Sequence, residues 1–305
     1  MSSVQPKAMA PAVVIDDLLS RCQAGLGAAE AVMEQARLRV TTEVTRGGRI
    51  DSTAFDSAQF AAHGYAWLAT YVEALRQMLD WATRLQAGQR LRETEQLILQ
   101  IAFGEYLAQI AGGLAMSQGE IVRPADLGLT SHDLAVLEPL RDLIDHGNTA
   151  SARARLAALI TDGDFGEAAL DDETLLLVQD QFRHFAEAHR DAAHQWHLKD
   201  ELIPLEVIQQ LAEMGVFGLT VPEEFGGAGL GKLAMCVVTE ELSRGYIGLG
   251  SLGTRSEIAA ELIRLGGTEQ QKQHWLPKLA SGEILPTAVF TEPNTGSDLG
   301  ALRTR

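Results

Sequence analysis

Residues 288–305 read AVFTEPNTGSDLGALRTR, and this stretch holds most of the chemical information in the chain. The apolar run at residues 287–290 predicts a strand, and the polar run at 291–298, with one proline and one glycine, predicts a loop. Such a loop offers backbone N–H groups and small hydroxyls at short range, which suits a flat polar ring system or a phosphate-bearing ligand. The sequence therefore predicts a ligand-binding loop directly after a strand.

Three further motifs precede this stretch. They read FGLTVPEEFGGAG at residues 217–229, EELSR at 240–244 and GTEQQKQHWLP at 267–277. Together with residues 288–305, and in this order, they resemble the signature of the acyl-CoA dehydrogenase family, flavoenzymes that desaturate acyl-CoA thioesters between the α and β carbons. The resemblance runs from about residue 170 to the end of the chain, and it implies an all-helical N-terminal domain followed by a middle β-domain.

The composition bounds the class of protein without identifying it. A chain of 305 residues with 46% hydrophobic residues can form two ordinary domains. No apolar run reaches the ~18 residues that a membrane span needs, and residues 1–11 lack the hydrophobic stretch of a signal peptide, so we expect a cytoplasmic protein. The formal charge of −16 disfavours nucleic acid and anionic membranes as partners. Cys22 and Cys236 are predicted to be buried free thiols, with neither a disulfide nor a metal site.

Helical periodicity dominates the first 160 residues and predicts a helix bundle. A first long helix is predicted to stop at Gly47-Gly48. A second is predicted to be capped by Thr53 and to end at Gly88, and a third to begin near Glu93. The acidic, glycine-bearing segment 161–166 then predicts a linker.

The predicted fold class is mainly α. A helical extension spans residues 1–160, and the all-helical N-terminal domain of an acyl-CoA dehydrogenase spans 170–284. In that second domain, Asp171 or Asp172 is predicted to cap the first helix, Pro204 to open the next, and Thr268 to cap the last. Residues 285–305 would supply only the first strand of the β-domain, and this strand would have no sheet to join.

The resemblance also implies a cofactor, partners and a missing part. Members of the family bind FAD, act on acyl-CoA substrates, pass electrons to an electron-transfer flavoprotein and assemble as homo-oligomers. After the helical domain they have a complete β-domain and a C-terminal helical bundle, which in most branches supplies the glutamate that removes the α-proton. Neither follows Arg305, so we expect no catalytic residue in this chain, which would be a fragment and inactive by itself.

The extension narrows the resemblance to one branch of the family. Ordinary members begin almost directly with their helical domain, whereas residues 1–160 precede it here. The runs AHGYAWLATYVEAL at residues 62–75 and LQIAFGEYL at 99–107 resemble the extension of a branch whose substrate is a methyl-branched dicarboxylic acyl-CoA. No cluster of titratable groups in the extension suggests chemistry, so we expect it to support stability or access to the site.

Three residues of the terminal stretch gain roles from the resemblance. Phe290 and Thr291 match the place where the signature strand lies along the flavin, and the Thr291 hydroxyl would bond the pyrimidine end of the ring system. The alternative is a threonine that only favours a strand. Ser297, in the same cofactor-binding loop, matches the family serine that contacts the CoA portion of the substrate. The alternative is a serine that caps a turn.

Arg255 is predicted to bind the second carboxylate of the substrate. It matches a segment that in this family lines the base of the acyl cavity, where members acting on plain acyl groups mostly carry small or apolar residues. A carboxylate in a dry cavity needs a partner because its desolvation is costly, and a guanidinium can donate two parallel hydrogen bonds, to which Ser256 would add a third. The alternative is a surface ion pair between Arg255 and Glu257 or Glu261.

The remaining polar groups have simpler interpretations. Glu292 and Asp298 are predicted to order the loop by accepting hydrogen bonds from nearby N–H groups, and not to act as an acid and base pair. His194 and His197 have helical spacing but are predicted to be solvated helix residues and not metal ligands. A competing function is a non-catalytic helical scaffold or interaction protein that keeps part of the dehydrogenase fold, and bound flavin would distinguish the two.

Overall fold

The structure is a computed structural model that describes residues 13–304, and these form two compact units that divide between Ala169 and Leu170. Both units are helical, and the described residues contain only two short antiparallel hairpins, so the mainly α prediction is confirmed. None of the helices within residues 13–304 is long and apolar enough to cross a membrane. Residues 1–11, for which the sequence predicts no signal peptide, lie outside the described residues.

Unit 1 is built on three long helices whose facing apolar stripes share one core. Buried positions recur at three and four residue steps along each helix, and Val32, Leu75 and Phe103 are fully buried examples. The elements of unit 1 are α1 (Leu18–Val44), β1 (Thr45–Arg46), β2 (Arg49–Ile50), α2 (Ser52–Ser57), α3 (Gln59–Ala87), α4 (Glu93–Gly112), β3 (Leu114–Ala115), β4 (Ile121–Val122), α5 (Ser131–Leu134), α6 (Arg141–His146) and α7 (Ala150–Thr161).

The connection between α1 and α3 differs from the sequence prediction. Gly47 and Gly48 both take positive φ and form the turn of the β1–β2 hairpin, so α1 ends before them. The cap of the next helix is Asp51 and not Thr53, because the Asp51 carboxylate accepts a 2.9 Å hydrogen bond from the Ala54 N–H. That helix is only the short α2, and α3 starts separately after it.

The backbone of α4 lies in direct contact with the backbone of the residues that follow α6. A Cβ atom on Gly104 of α4 would lie 2.7 Å from the Asn148 nitrogen and 2.8 Å from the Gly147 Cα. One turn earlier on α4, the buried Gln100 donates a 3.2 Å hydrogen bond to the Gly147 carbonyl and accepts a 2.7 Å bond from the Ile15 N–H. This contact depends on glycine, because any side chain would force the two helices apart.

The segment that the sequence predicts to be a linker is held to unit 1. The Thr94 hydroxyl, at the start of α4, donates a 2.7 Å hydrogen bond to the Asp164 carboxylate, and the Trp81 indole donates a 2.9 Å bond to the Glu167 carbonyl. Arg90 forms an ion pair with the Glu167 side chain. Asp164 of the predicted linker is therefore bound to the start of α4, and Glu167, just after the linker, is bound to Trp81 of α3 and to Arg90.

Unit 2 contains five helices within its described residues. Asp172 caps its first helix by accepting hydrogen bonds from the Thr174 and Leu175 N–H groups, and Thr268 caps the last through a capping box with Gln271. Both caps are as predicted from the sequence, as is Pro204 before the second helix. The elements of unit 2 are α8 (Glu173–Leu198), α9 (Leu205–Glu213), α10 (Lys232–Gly245), α11 (Ile247–Gly266) and α12 (Glu269–Ala280).

The glycine-rich motif at residues 217–229 forms a compact loop between α9 and α10. The Ala228 N–H donates to the Gly218 carbonyl at 2.9 Å, and the Leu230 N–H donates to the Leu219 carbonyl at 2.8 Å. A Cβ atom on Gly227 would meet the Val221 carbonyl oxygen. Glycine is required here because the loop folds back on its own backbone.

Residues 285–291 take no regular secondary structure, which corrects the predicted strand at 287–290. A strand satisfies its backbone groups through a neighbouring strand, and the described part of unit 2 offers none. The next residues form a single antiparallel bridge between Glu292 and Thr295.

Candidate functional site

The polar loop at residues 291–298 is a tight turn with exposed side chains. The Glu292 N–H donates a 2.9 Å hydrogen bond to the Thr295 carbonyl, and the Thr295 N–H returns a 3.1 Å bond to the Glu292 carbonyl. This closes the turn around Pro293 and Asn294, a residue pair that favours turns. The turn occupies the residues for which the sequence predicts the cofactor loop.

The Glu292 carboxylate orders the loop, as predicted. It accepts hydrogen bonds of 3.1 and 2.7 Å from the Arg303 and Thr304 N–H groups, and another from the Thr304 hydroxyl. The bond from the Thr304 hydroxyl, followed by those from the two N–H groups, holds the pKa of Glu292 below its ordinary value. The corresponding prediction for Asp298 is wrong. Its backbone carbonyl accepts from the Ala301 N–H, and its carboxylate takes part in no hydrogen bond within residues 13–304.

The candidate ligand-binding side chains of this loop are available for a ligand. Phe290 is 40% exposed, and Thr291 and Ser297 are exposed. Within residues 13–304, the hydroxyls of Thr291 and Ser297 take part in no hydrogen bond, since the bonds that shape the loop use Glu292 and the backbone. The loop therefore presents an aromatic ring and two unengaged hydroxyls to solvent.

Arg255 lies in the middle of α11, on its exposed side. Among residues 13–304 it enters no ion pair or hydrogen bond, and the alternative pairing with Glu257 or Glu261 does not occur. Glu257 pairs with Lys232, and Glu261 pairs with Arg264 at 2.8 Å. The structure thus leaves the guanidinium without a carboxylate partner in the part of the chain that it describes.

Ser256 does not share the face of Arg255, which corrects the prediction that it would add a third hydrogen bond to a ligand there. Consecutive helical residues point about 100° apart, and Ser256 is fully buried with Gly253 and Ala260 on the opposite side of α11. Its hydroxyl is buried without a hydrogen-bond partner in the described part of the chain. The serine nearer to the exposed side is Ser251, one turn before Arg255.

Two grooves open on unit 2 away from these residues. One, of about 430 Å³, is bordered by α8 and the start of α11, and the other, of about 460 Å³, by the glycine-rich loop and the start of α10. Neither includes Phe290, Thr291, Ser297 or Arg255. Their linings are Arg190, Asp191, His194, His197, Gly245, Tyr246 and Ile247 for the first, and Thr220, Pro222, Glu223, Gly229, Leu230, Gly231, Lys232, Glu261 and Arg264 for the second.

The EELSR motif provides a buried ionic clamp between α8 and α10. The Glu241 side chain is 3% exposed and accepts hydrogen bonds from Arg183 at 2.9 Å and from Arg244 at 2.8 Å. Burial alone would raise the pKa of Glu241, but the bonds from Arg183 and Arg244 outweigh it and hold the pKa below its ordinary value. Glu241 is thus committed to a structural role.

The two candidate histidines and the two cysteines differ in exposure. His194 and His197 are exposed, and residues 13–304 contain no group of three or more side chains that could hold a metal ion. Both cysteines are free, as predicted. Cys22 is buried, and burial raises the pKa of its thiol to about 12. Cys236 is exposed, which corrects the prediction that both are buried, because it lies on the solvent side of α10.

Within its described residues, unit 2 combines five α-helices, a compact glycine-rich loop and an exposed hydroxyl-bearing loop. Residues 172–283 match the family described as Acyl-CoA dehydrogenase, N-terminal domain. Residues 172–283 therefore belong to the acyl-CoA dehydrogenase family.

The relatives distinguish branches within this family. The chain is 60% identical over 297 residues to (2S)-methylsuccinyl-CoA dehydrogenase of Cereibacter sphaeroides, a match that covers 96% of this chain and 54% of the relative. It is 43% identical over 100 residues to mitochondrial isovaleryl-CoA dehydrogenase of Bos taurus, covering 32% of this chain and 23% of the relative. It is also 34% identical over 132 residues to mitochondrial isobutyryl-CoA dehydrogenase of Dictyostelium discoideum, covering 42% and 32%.

The first of these matches confirms the predicted resemblance of the extension, because it includes nearly all of unit 1. The chain spans about half the length of that relative and a smaller share of the other two.

Proposed function

We propose that the complete protein is an FAD-dependent acyl-CoA dehydrogenase that converts (2S)-methylsuccinyl-CoA to mesaconyl-CoA, a step of the ethylmalonyl-CoA pathway. The observation that carries this proposal is the 60% identity that extends over 297 residues, through the helical extension as well as the dehydrogenase domain. The match to isovaleryl-CoA dehydrogenase covers only 100 residues. An electron-transfer flavoprotein as electron acceptor and assembly into a homo-oligomer belong to the same proposal.

The residues of the exposed loop fit a flavin. The Phe290 ring would pack along the isoalloxazine, and the unengaged Thr291 hydroxyl would donate to a polar atom of its pyrimidine end. Ser297, on the far side of the turn, would contact the CoA portion of the substrate. Glu292 would keep the spacing between these groups through its bonds to Arg303 and Thr304.

Desaturation removes a proton from the α carbon and a hydride from the β carbon, and the bound flavin supplies the acceptor for that hydride. The contribution of this chain is binding and orientation. The Glu292 carboxylate is used by the loop and the Glu241 carboxylate by the α8–α10 clamp, so neither is a free base. We assign no catalytic base to the described residues, because the family resemblance implies that the base comes from a C-terminal helical bundle.

The proposal is tested on the full-length protein. Purified protein is expected to show flavin absorbance that bleaches when (2S)-methylsuccinyl-CoA is added without oxygen. A protein that carries no flavin and bleaches with no acyl-CoA would instead be the helical scaffold described as the competing function.

The flavin role of Thr291 has its own test. Thr291→Val replaces the hydroxyl by a methyl group and leaves the volume of the side chain nearly unchanged. We expect the flavin affinity to fall about fivefold, which is equivalent to the loss of one hydrogen bond of ~1 kcal/mol. The affinity is measured by fluorescence titration of the apoprotein. Thr295→Val is the matched control, because the Thr295 hydroxyl is unengaged but lies across the turn. If both variants bound flavin with the same affinity, the Thr291 hydroxyl would have no role in flavin binding.

A further inference from the structure

The connection between α7 and α8 is folded back onto unit 1 over part of its length. Residues 164–169, which we call the strap, lie across the start of α4 and the end of α3. The Thr94 hydroxyl donates a 2.7 Å hydrogen bond to the Asp164 carboxylate at one end of the strap, and the Trp81 indole donates a 2.9 Å bond to the Glu167 carbonyl. The strap is therefore held by polar bonds to two helices of the same unit.

The middle of the strap covers a buried charge. The Glu95 side chain is 0% exposed and accepts two 3.0 Å hydrogen bonds from Arg92, one from its N–H and one from its guanidinium. A Cβ atom on Gly166 would lie 3.5 Å from a Glu95 carboxylate oxygen, and the positive φ of Gly166, 76°, favours glycine. Opening the strap would return this charge to water, which removes its desolvation cost and so favours the open state.

Few apolar contacts oppose that opening. Phe165, the one large apolar side chain of the strap, is 75% exposed. Ala169 is buried, but it is small and takes a positive φ of 56°, which is unfavourable for a residue that has a Cβ atom. The polar bonds of Asp164 and Glu167 therefore decide whether the strap stays closed. Segments with few buried apolar contacts open locally while the helices beneath them remain folded.

We propose that the strap is a conformational device that switches the connection between the two units from short to long. In the closed state Ala169 is held, and residues 170–172 lead to α8. In the open state, residues 162–172 are available as the connection. An extended chain spans at most ~3.5 Å per residue, so the reach of the connection rises from about 10 Å to about 40 Å. The strap thus sets how far the units can move apart, whatever reaction the complete protein catalyses.

Chymotrypsin measures the open state in the full-length protein, because Phe165 provides a cleavage site within the strap. A protease cuts an extended segment, so the rate of cleavage after Phe165 follows the population of the open state. Thr94→Val nearly keeps the volume of the side chain and removes its bond to Asp164. We expect it to raise the cleavage rate about tenfold, which corresponds to ~1.4 kcal/mol. Gly166→Ala adds strain at a positive φ and should raise the rate as well.

Thr161→Val is the matched control. The Thr161 hydroxyl donates to the Ala157 carbonyl within α7, outside the strap, so its loss should leave the cleavage rate near that of the wild type. Hydrogen exchange, measured by mass spectrometry, provides a second reading. Peptides from α3 and from the second half of α4 should exchange in Thr94→Val as they do in the wild type, because the strap opens alone.

Three results would overturn the proposal. Wild-type protein that is cleaved after Phe165 as fast as a free peptide of residues 160–172 would show that the strap is not closed. Equal cleavage rates in Thr94→Val and Thr161→Val would show that the bond to Asp164 does not hold the strap. Faster exchange in α3 and in the second half of α4 of Thr94→Val would show that the strap opens only when unit 1 unfolds.

Discussion

Gly104 offers the sharpest test of the packing of unit 1, because the structure provides a control on the same helix. In Gly104→Ala the new Cβ would lie 2.7 to 2.9 Å from three backbone atoms of Gly147 and Asn148, and backbone cannot move aside as a flexible side chain can. Gly112 ends the same helix, and a Cβ there would meet nothing within 4 Å.

The expected magnitude follows from two opposing effects. Overpacking in a close contact costs typically 1–3 kcal/mol, and replacing a helical glycine by alanine recovers up to about 1 kcal/mol. For Gly104→Ala we expect a net loss of about 1–2 kcal/mol, which lowers the thermal midpoint of a unit of this size by roughly 2–8 °C. Gly112→Ala has only the favourable effect, and its stability should equal or exceed that of the wild type.

The assay must report on unit 1 by itself, because the two units can unfold separately. Hydrogen exchange of peptides from α4 and α6, measured by mass spectrometry across a urea series, meets this need. Gly104→Ala should exchange faster in these peptides and leave those of α8 to α12 unchanged. If Gly104→Ala were as stable as Gly112→Ala, α4 and Gly147 would be further apart than the structure places them, and the backbone contact would be wrong.

Two further predictions concern charged residues. Asp133 accepts hydrogen bonds from the Thr130 hydroxyl and N–H and pairs with Arg39, and these contacts lower the pKa of its carboxyl to about 2. The ionised carboxylate therefore stabilises the folded state above pH ~4, and this contribution is lost as the pH falls toward 2. Urea midpoints should therefore fall between pH 4 and 2 in the wild type and vary less in Asp133→Asn, and parallel curves would contradict this. Glu241→Gln should destabilise unit 2 by about 1–3 kcal/mol in urea unfolding, because it removes the charged acceptor of two arginines. Glu240 is exposed, so Glu240→Gln is the control and should leave the stability of unit 2 nearly unchanged. Equal effects of the two substitutions would show that the clamp does not stabilise unit 2.

Local signals in the sequence predicted the helices well where the cause is itself local. Asp172 and Thr268 cap their helices because the bonds involved reach only two or three residues along the chain. The same reasoning failed at Thr53, since Asp51 lies two residues earlier and has an equally suitable side chain. Capping residues of comparable strength compete, and the positions of α1 and α3 decide between them.

For the candidate site as well, the sequence predicted the features that have a local cause and missed those that depend on distant residues. The residue types and order of 291–298 predicted a polar loop, and the structure has one that is ordered by Glu292. The missing strand and the exposed Cys236 were not predictable, because a strand depends on a neighbouring strand and burial depends on which helix packs alongside.

By itself, the sequence determined the family, the mainly α class, the caps of α8 and α12 and the polar loop, since each depends on residues that are neighbours in the chain. Only the tertiary structure decided that Gly104 lies against Gly147, that Asp164 binds Thr94, and that Glu257 and Glu261 are already paired. These facts depend on which helix faces which, and that is set by the packing of many side chains at once. Within residues 13–304, Arg255 has no ion-pair partner, because the packing pairs Glu257 with Lys232 and Glu261 with Arg264.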